Sequence, residues 1–458
     1  MNIMANSLEA KDVAHHLHSY SNPRRLAETG PLVIERGEGI HVIDNMGRKY
    51  IEGVSALWYA SLGFSEQRLV DAAHRQLTKL PCYHSFGNKV SDVAVELAER
   101  LIKLAPVPMS KVYFAGSGSE GNDTALKIVR FYSNALGRPQ KKKVISRIKA
   151  YHGTTLATAS LTGIPRNHAG FDLPIDGILH TDCPHYYRYA DAGESEEAFV
   201  DRIVGNLETL ILNEGPETIA AFWAEPVFGS GGVIVPPKGY YEKVQAVLRK
   251  YDILFVADEV ISGFGRLGHM FGCEAFGIEP DMIILAKALS SGYQPISALM
   301  INERVFSALA DESNKLGVFG HGFTYSAHPV PAAVALETLK IYEERDIVSH
   351  VRKVAPRMQT AMRRLADYPF VGEVRGLGLI AGIEVVRNKA TKESFDPAMR
   401  AAAELEAKCL EQGLIVRAIG DTVAVSPPLI ISENEMERLL SMLEQGVKHF
   451  AEAMAARS

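Results

Sequence analysis

From about residue 66 to residue 330 the chain alternates short apolar runs with stretches of helical periodicity, and this alternation restricts the fold more than any other feature. Helical spacing over 66–80 and 91–104 precedes the apolar run Val112-Tyr-Phe-Ala115. A helix over 119–135, a strand over 143–148, a helix over 198–212 and the strand Ile219–Ala224 follow. A helix over 238–250 then leads to the strands Ile253–Ala257 and Met282–Leu285. Strands that are apolar throughout belong to a sheet buried on both faces, and the intervening helices supply the crossovers that parallel strands need. The prediction is an α/β fold with a mostly parallel central sheet and flanking helices. Residues 32–53 read as short strands turning at Asn45-Met-Gly47. Beyond 330 come long helices, the strands Gly372–Arg375 and Leu379–Val385, a helix, two short strands and a final helix. We expect a large unit over 66–330 and a smaller α+β unit built from both chain ends, 1–65 and 331–458.

Composition excludes several function classes. With 47% apolar and 22% charged residues over 458 positions, the chain can bury a large core. A net charge of −5 argues against a general nucleic-acid binder, and the run Lys141-Lys142-Lys143 reads as a solvated loop-to-strand junction. Cys82, Cys183, Cys273 and Cys409 show no Cys-x-x-Cys spacing, which fits free thiols in a reducing compartment. No apolar run reaches the ~18 residues of a membrane span, and the polar N-terminus has no signal-peptide pattern. The expected location is cytoplasmic. His15, His16 and His18 stand without a Cys or carboxylate at ligand spacing, so no metal is expected.

Gly116-Ser-Gly118-Ser-Glu-Gly121 matches G-x-G-x-x-G between a strand and a helix. A dinucleotide site also wants an acid about 20 residues on, whereas 138–143 is Arg-Pro-Gln-Lys-Lys-Lys. An NADP-dependent dehydrogenase therefore remains an alternative. Both readings share a physical core: small residues at a helix start expose N–H groups, and the helix dipole favours an anion such as phosphate there. Leu254-Phe-Val-Ala-Asp258-Glu259 resembles the acidic strand of P-loop ATPases, but no Gly-Lys dipeptide exists to complete that motif.

An aspartate ending an apolar strand needs a cationic partner, and a protonated pyridine ring is one. The carboxylate keeps the ring nitrogen protonated, so the ring can take up electrons from a breaking bond at a substrate α-carbon. That chemistry also needs a lysine that forms an imine near neutral pH, which an apolar setting favours. Lys287 follows the strand Met282–Leu285, 29 positions beyond Asp258, one strand–loop–strand step away. Both side chains can then emerge at the carboxyl edge of the sheet, where α/β sheets bind ligands.

These motifs, with Ala150-Tyr-His-Gly153, Ala224-Glu-Pro226, Ala257-Asp-Glu-Val-Ile-Ser-Gly-Phe-Gly-Arg266, Lys287-Ala-Leu-Ser-Ser-Gly-Tyr293 and Gly320-His-Gly-Phe-Thr-Tyr-Ser-Ala-His-Pro329, resemble the class III (ω-amino acid) aminotransferases, fold-type-I pyridoxal-phosphate enzymes. Within that family the ω-amine:pyruvate transaminases look most similar. The resemblance implies pyridoxal 5′-phosphate as cofactor, held by Lys287 as a Schiff base, with Asp258 on the ring nitrogen. It implies that Gly118 and Ser119 bind the phosphate, joined by Thr324 from a partner subunit. Tyr151 and Val260 would flank the ring, and Glu225 would belong to the cofactor site. Leu57 and Trp58, with Tyr20 and Phe86 from the partner, would line the substrate pocket, and Arg417 would capture carboxylates. His152, His321 and His328 read as structural hydrogen-bonders. The implied partners are an amine, a keto acid such as pyruvate, and a second copy of the chain in a homodimer or tetramer. Gly116, Gly121, Ala288 and Ser19 depart from common family residues without removing a reactive group. An aminomutase or racemase on the same fold is the other alternative.

Overall fold

The computed structural model describes residues 6–457. Its centre is a seven-stranded sheet whose spatial order is Lys111–Ala115, Ser297–Ile301, Met282–Leu285, Leu254–Asp258, Ile219–Ala224, Lys143–Arg147, Ile178–Thr181. The last five strands of that order run parallel, and Ser297–Ile301 is antiparallel to both of its neighbours. Ile219–Ala224, Leu254–Asp258 and Met282–Leu285 are buried at every position, as their unbroken apolar runs require.

Helices pack on both faces. Glu196–Glu214 and Tyr240–Lys250 cover one face through Phe199, Ile203, Leu207, Val244 and Leu248. Gly118–Ala135 covers the other through Ala125, Ile128 and Val129. Two sequence expectations were incomplete. Ile178–Thr181 and Ser297–Ile301 are strands that the alternation did not reveal. The first sits at the sheet edge and is only partly buried; the second, Ser-Ala-Leu-Met-Ile, carries a single β-branched residue and acquires its extended form from two long-range partners.

Two smaller sheets flank this body. One joins Ile34–Glu38, His41–Asp44 and Lys49–Glu52 to Leu414–Ile415, which pairs parallel to Lys49–Glu52 with Ile415 opposite Glu52. The other has the order Val371–Leu377, Ile380–Val385, Thr422–Val425, Arg417–Ile419. Segments near the two ends of the chain thus share a sheet, and Arg417 leaves the C-terminal segment two residues beyond that contact. Among the described residues no helix is long and apolar enough to cross a membrane.

Candidate active site

Asp258 is the last residue of its strand, and Lys287 follows the end of the adjacent parallel strand. Both line one cavity of about 400 Å³, together with Ser117, Gly118, Ser119, Asn122, Tyr151, His152, Glu225 and Val260. Asp258 Oδ2 accepts from Asn122 Nδ2 at 2.9 Å and meets His152 Nδ1 at 2.8 Å, while Oδ1 accepts from the Val260 amide at 3.1 Å. Three donors and no acceptor suit a carboxylate, not a carboxylic acid. Asn122 is itself fixed, its Oδ1 accepting from Trp223 Nε1 at 2.7 Å.

Lys287 adopts a left-handed backbone, with φ of +49°. A non-glycine residue in that region is held there by its surroundings, and such strain collects at functional sites. The methyl group of Ala288 is accommodated because the positive φ falls on Lys287 itself. Burial brings the Lys287 amine down to about 8, against the attraction of Asp258 and Glu225. Burial pushes the carboxyl of Glu225 upward; its Oε1 and Oε2 accept from the Tyr151 and Gly229 amides at 3.0 and 2.9 Å, which tie the segment carrying Tyr151 to the sheet edge.

The helix Gly118–Ala135 begins at the same cavity. Ser117 caps it, its hydroxyl accepting from Glu120 N at 3.2 Å. A Cβ on Gly118 would stand 3.2 Å from Val260 Cγ2 and 3.8 Å from Ala286 Cβ, so glycine lets the helix start approach the floor of the cavity. The cavity thus offers helix N-terminal amides and the Ser119 hydroxyl for a phosphate, a carboxylate for a ring nitrogen, and a low-pKa amine for an aldehyde. That donor set fits pyridoxal phosphate.

A narrower chamber of about 130 Å³ adjoins it, lined by Tyr20, Leu57, Trp58, Tyr151, Arg417 and Lys287, among others. The Arg417 guanidinium carbon lies 4.9 Å from the Trp58 ring centre, and Lys287 Nζ lies 5.7 Å from it. Trp58 is buried, with a backbone φ of +62°, and Ser55 and Ala56 share the left-handed region. Glu52 braces this turn by accepting from the Val54 amide at 2.9 Å.

The cavities bring together Gly118, Ser119, Tyr151, Glu225, Asp258, Val260, Lys287, Tyr20, Leu57, Trp58 and Arg417. Tyr20 corrects the sequence reading, which assigned it to a partner: it lines the chamber of its own chain, where its hydroxyl accepts from Asn167 Nδ2 at 2.8 Å. Phe86 and Thr324 stand outside these cavities, both exposed, on neighbouring surface segments where Phe86 packs over Gly322. Sequence reasoning missed Asn122 and Trp223; the only signal was their place in a phosphate-loop motif and next to Ala224-Glu-Pro226. It also missed that Asp12 lies 2.9 Å from His16 and 2.7 Å from His18, a carboxylate within ligand spacing of two imidazoles. His321 hydrogen-bonds with the distant Thr124, and His328 Nδ1 accepts from the nearby Val330 amide.

The fold and this donor set define a fold-type-I, pyridoxal-phosphate-dependent enzyme. Residues 24–447 match the family model described as Aminotransferase class-III, and the chain belongs to that family. It is 52% identical over 422 residues to gamma aminobutyrate transaminase 1, mitochondrial, of Solanum lycopersicum, covering 92% of this chain and 82% of that protein. It is 53% identical over 426 residues to gamma-aminobutyrate transaminase 1, mitochondrial, of Oryza sativa subsp. japonica, covering 93% and 83%. The omega transaminase from Pseudomonas jessenii in complex with PMP superposes with a TM-score of 0.97 at 52% identity, covering 98% and 99% of the two chains. The chain is an aminotransferase that uses pyridoxal phosphate and acts on an amine and a keto acid. The dehydrogenase alternative falls with that assignment.

Proposed function

We propose that this aminotransferase moves the amino group of a primary amine or ω-amino acid to a small 2-oxo acid, with pyruvate the preferred acceptor, and that Lys287 and Asp258 carry the chemistry. The supporting observation is the single cavity in which Lys287, Asp258 and the start of the helix Gly118–Ala135 converge. When bound, pyridoxal phosphate supplies the electron sink for bond breaking at the substrate α-carbon. Asp258, oriented by Asn122 and His152, would hold a proton on the ring nitrogen. Gly118 and Ser119 would hold the phosphate, and Tyr151 and Val260, which line the same cavity, would confine the ring. Lys287 would hold the cofactor covalently, and its Nζ, once free, would serve as the base for the proton on the substrate α-carbon. Among the described residues the Arg417 guanidinium makes no ion pair, so it is available to meet the carboxylate of a 2-oxo acid.

We further read the active enzyme as a homodimer in which Phe86 and Thr324 complete the partner's site, because both are exposed beside other exposed apolar residues, Tyr83, Val90 and Tyr325. The chain divides into a cofactor-binding unit over 66–330 and a smaller unit from 1–65 and 331–458. Four free cysteines, three of them buried, support a reducing, cytoplasmic setting.

The test is Lys287→Ala, assayed with a panel of amines and pyruvate. Turnover should vanish while cofactor phosphate binding persists; full activity in the variant would remove the proposal. Enzyme mixed with amine alone should release one equivalent of carbonyl product, which a racemase or aminomutase would not do.

A further inference from the structure

Arg166 lines the narrow chamber that also holds Lys287 and Arg417, and it lines a second, outer cavity of about 430 Å³. The two spaces share Tyr20, Arg166 and Asn167, so Arg166 stands at their junction. The outer cavity is walled in part by Leu156, Ala159, Phe171 and Leu173, a lining that suits methylene groups. Arg166 is exposed and, among the described residues, has no carboxylate partner and no hydrogen bond. A guanidinium is effectively always charged, and this one has nothing to neutralise it.

The cations are ordered outward from the reacting end. Arg417 and Lys287 line the narrow chamber but not the outer cavity, whereas Arg166 also lines the outer cavity beyond it. A carboxylate next to the reacting carbon therefore meets Arg417. A carboxylate several methylenes away passes Arg417 and reaches Arg166.

We infer that Arg166 is a distal carboxylate anchor, which extends the donor range to ω-amino acids with long methylene chains and lets Arg417 serve the 2-oxo acid acceptor. This inference rests on the transaminase reading of the same site and adds to it a residue that selects ω-amino acid donors by chain length. The guanidinium pairs with the far carboxylate through charge-assisted hydrogen bonds while the chain lies against the apolar wall.

The experiment compares H2N–(CH2)n–COO− donors of increasing n with alkylamines of equal length, in the wild type, Arg166→Ala and Arg166→Lys holoenzymes. For the longest donors, the ratio of kcat/KM for the amino acid to that for the matched alkylamine should fall about tenfold in Arg166→Ala, through KM and not kcat. Arg166→Lys should recover part of the loss, and the shortest donors should show little change in the ratio. Calorimetric binding of saturated dicarboxylates, which cannot react, should weaken in parallel with chain length. A ratio that is the same in Arg166→Ala and wild type at every length, or that falls equally at every length, overturns the anchor. A wild-type enzyme that consumes no amine of either series overturns the transaminase reading itself; turnover of alkylamines with tails indifferent to Arg166 overturns only the anchor.

Discussion

Nδ1 of His152 lies 2.8 Å from Oδ2 of Asp258, and neither side chain has appreciable contact with solvent. A carboxylate can only accept, so this geometry puts the imidazole proton on Nδ1 and commits His152 to one orientation. Asn122, from the phosphate-loop motif, donates to the same oxygen at 2.9 Å. Asp258 is thereby aimed before any ring arrives.

Replacing His152 with Phe should leave the fold in place but free Asp258 to rotate. Hydrogen bonds to charged groups contribute about 1.5–3 kcal/mol, so kcat should fall about 10- to 100-fold and pyridoxal phosphate should dissociate more readily. Absorbance of the bound cofactor during dialysis measures the second effect, and retention equal to the wild type would count against the aiming role.

Arg417→Ala should raise KM for pyruvate by about tenfold or more, since a charge-assisted pair is lost. Use of a carboxylate-free amine should suffer far less. Steady-state kinetics with each substrate varied separately decides this, and equal losses for both would contradict selective carboxylate capture.

The Lys287 amine, brought down by burial to about 8, must be neutral to attack an aldehyde. Covalent capture of pyridoxal phosphate by the apoenzyme should accelerate as pH rises and level off above about pH 8, where an ordinary lysine would still be mostly protonated. Stopped-flow absorbance across pH 6–10 checks the midpoint; a rate still climbing steeply beyond pH 9.5 would mean the amine is not so perturbed.

Glu52 is buried, and burial raises its carboxyl from 4.5 to about 7. The folded protein therefore binds this proton more tightly than the unfolded chain. The cost of ionisation is absent below pH 4.5, grows as pH rises to 7 and is constant above, at about 3 kcal/mol. Glu52→Gln should flatten that segment of the stability-against-pH curve, measured by urea unfolding between pH 5 and 8. A slope unchanged from wild type would show that the acid pays no such penalty.

Much of this architecture was legible because buried parallel strands leave an unmistakable trace: Ile219–Ala224 and Met282–Leu285 have no polar residue to interrupt them. Asp258 and Lys287 were legible for a related reason, since charged residues at the ends of such buried strands need a partner. The bracing of Asp258 was not. Asn122 is 136 positions away in the chain, and its amide reads locally as one more small polar residue in a glycine-rich turn. Tyr20 was given to a partner subunit on the family resemblance alone, and its contact with Asn167, 147 positions away, leaves no trace in the local sequence. Ser297–Ile301 escaped because antiparallel pairing on both sides, not its own composition, makes it a strand.

The pairing of Ile415 with Glu52 has an evolutionary and engineering consequence. The turn that presents Leu57 and Trp58 and the segment that presents Arg417 are stitched into a common ribbon, although more than 350 positions of sequence separate them. Remodelling the greasy wall to admit a bulkier tail will therefore drag the cationic latch with it, and libraries that vary both segments together should outperform those that vary either alone.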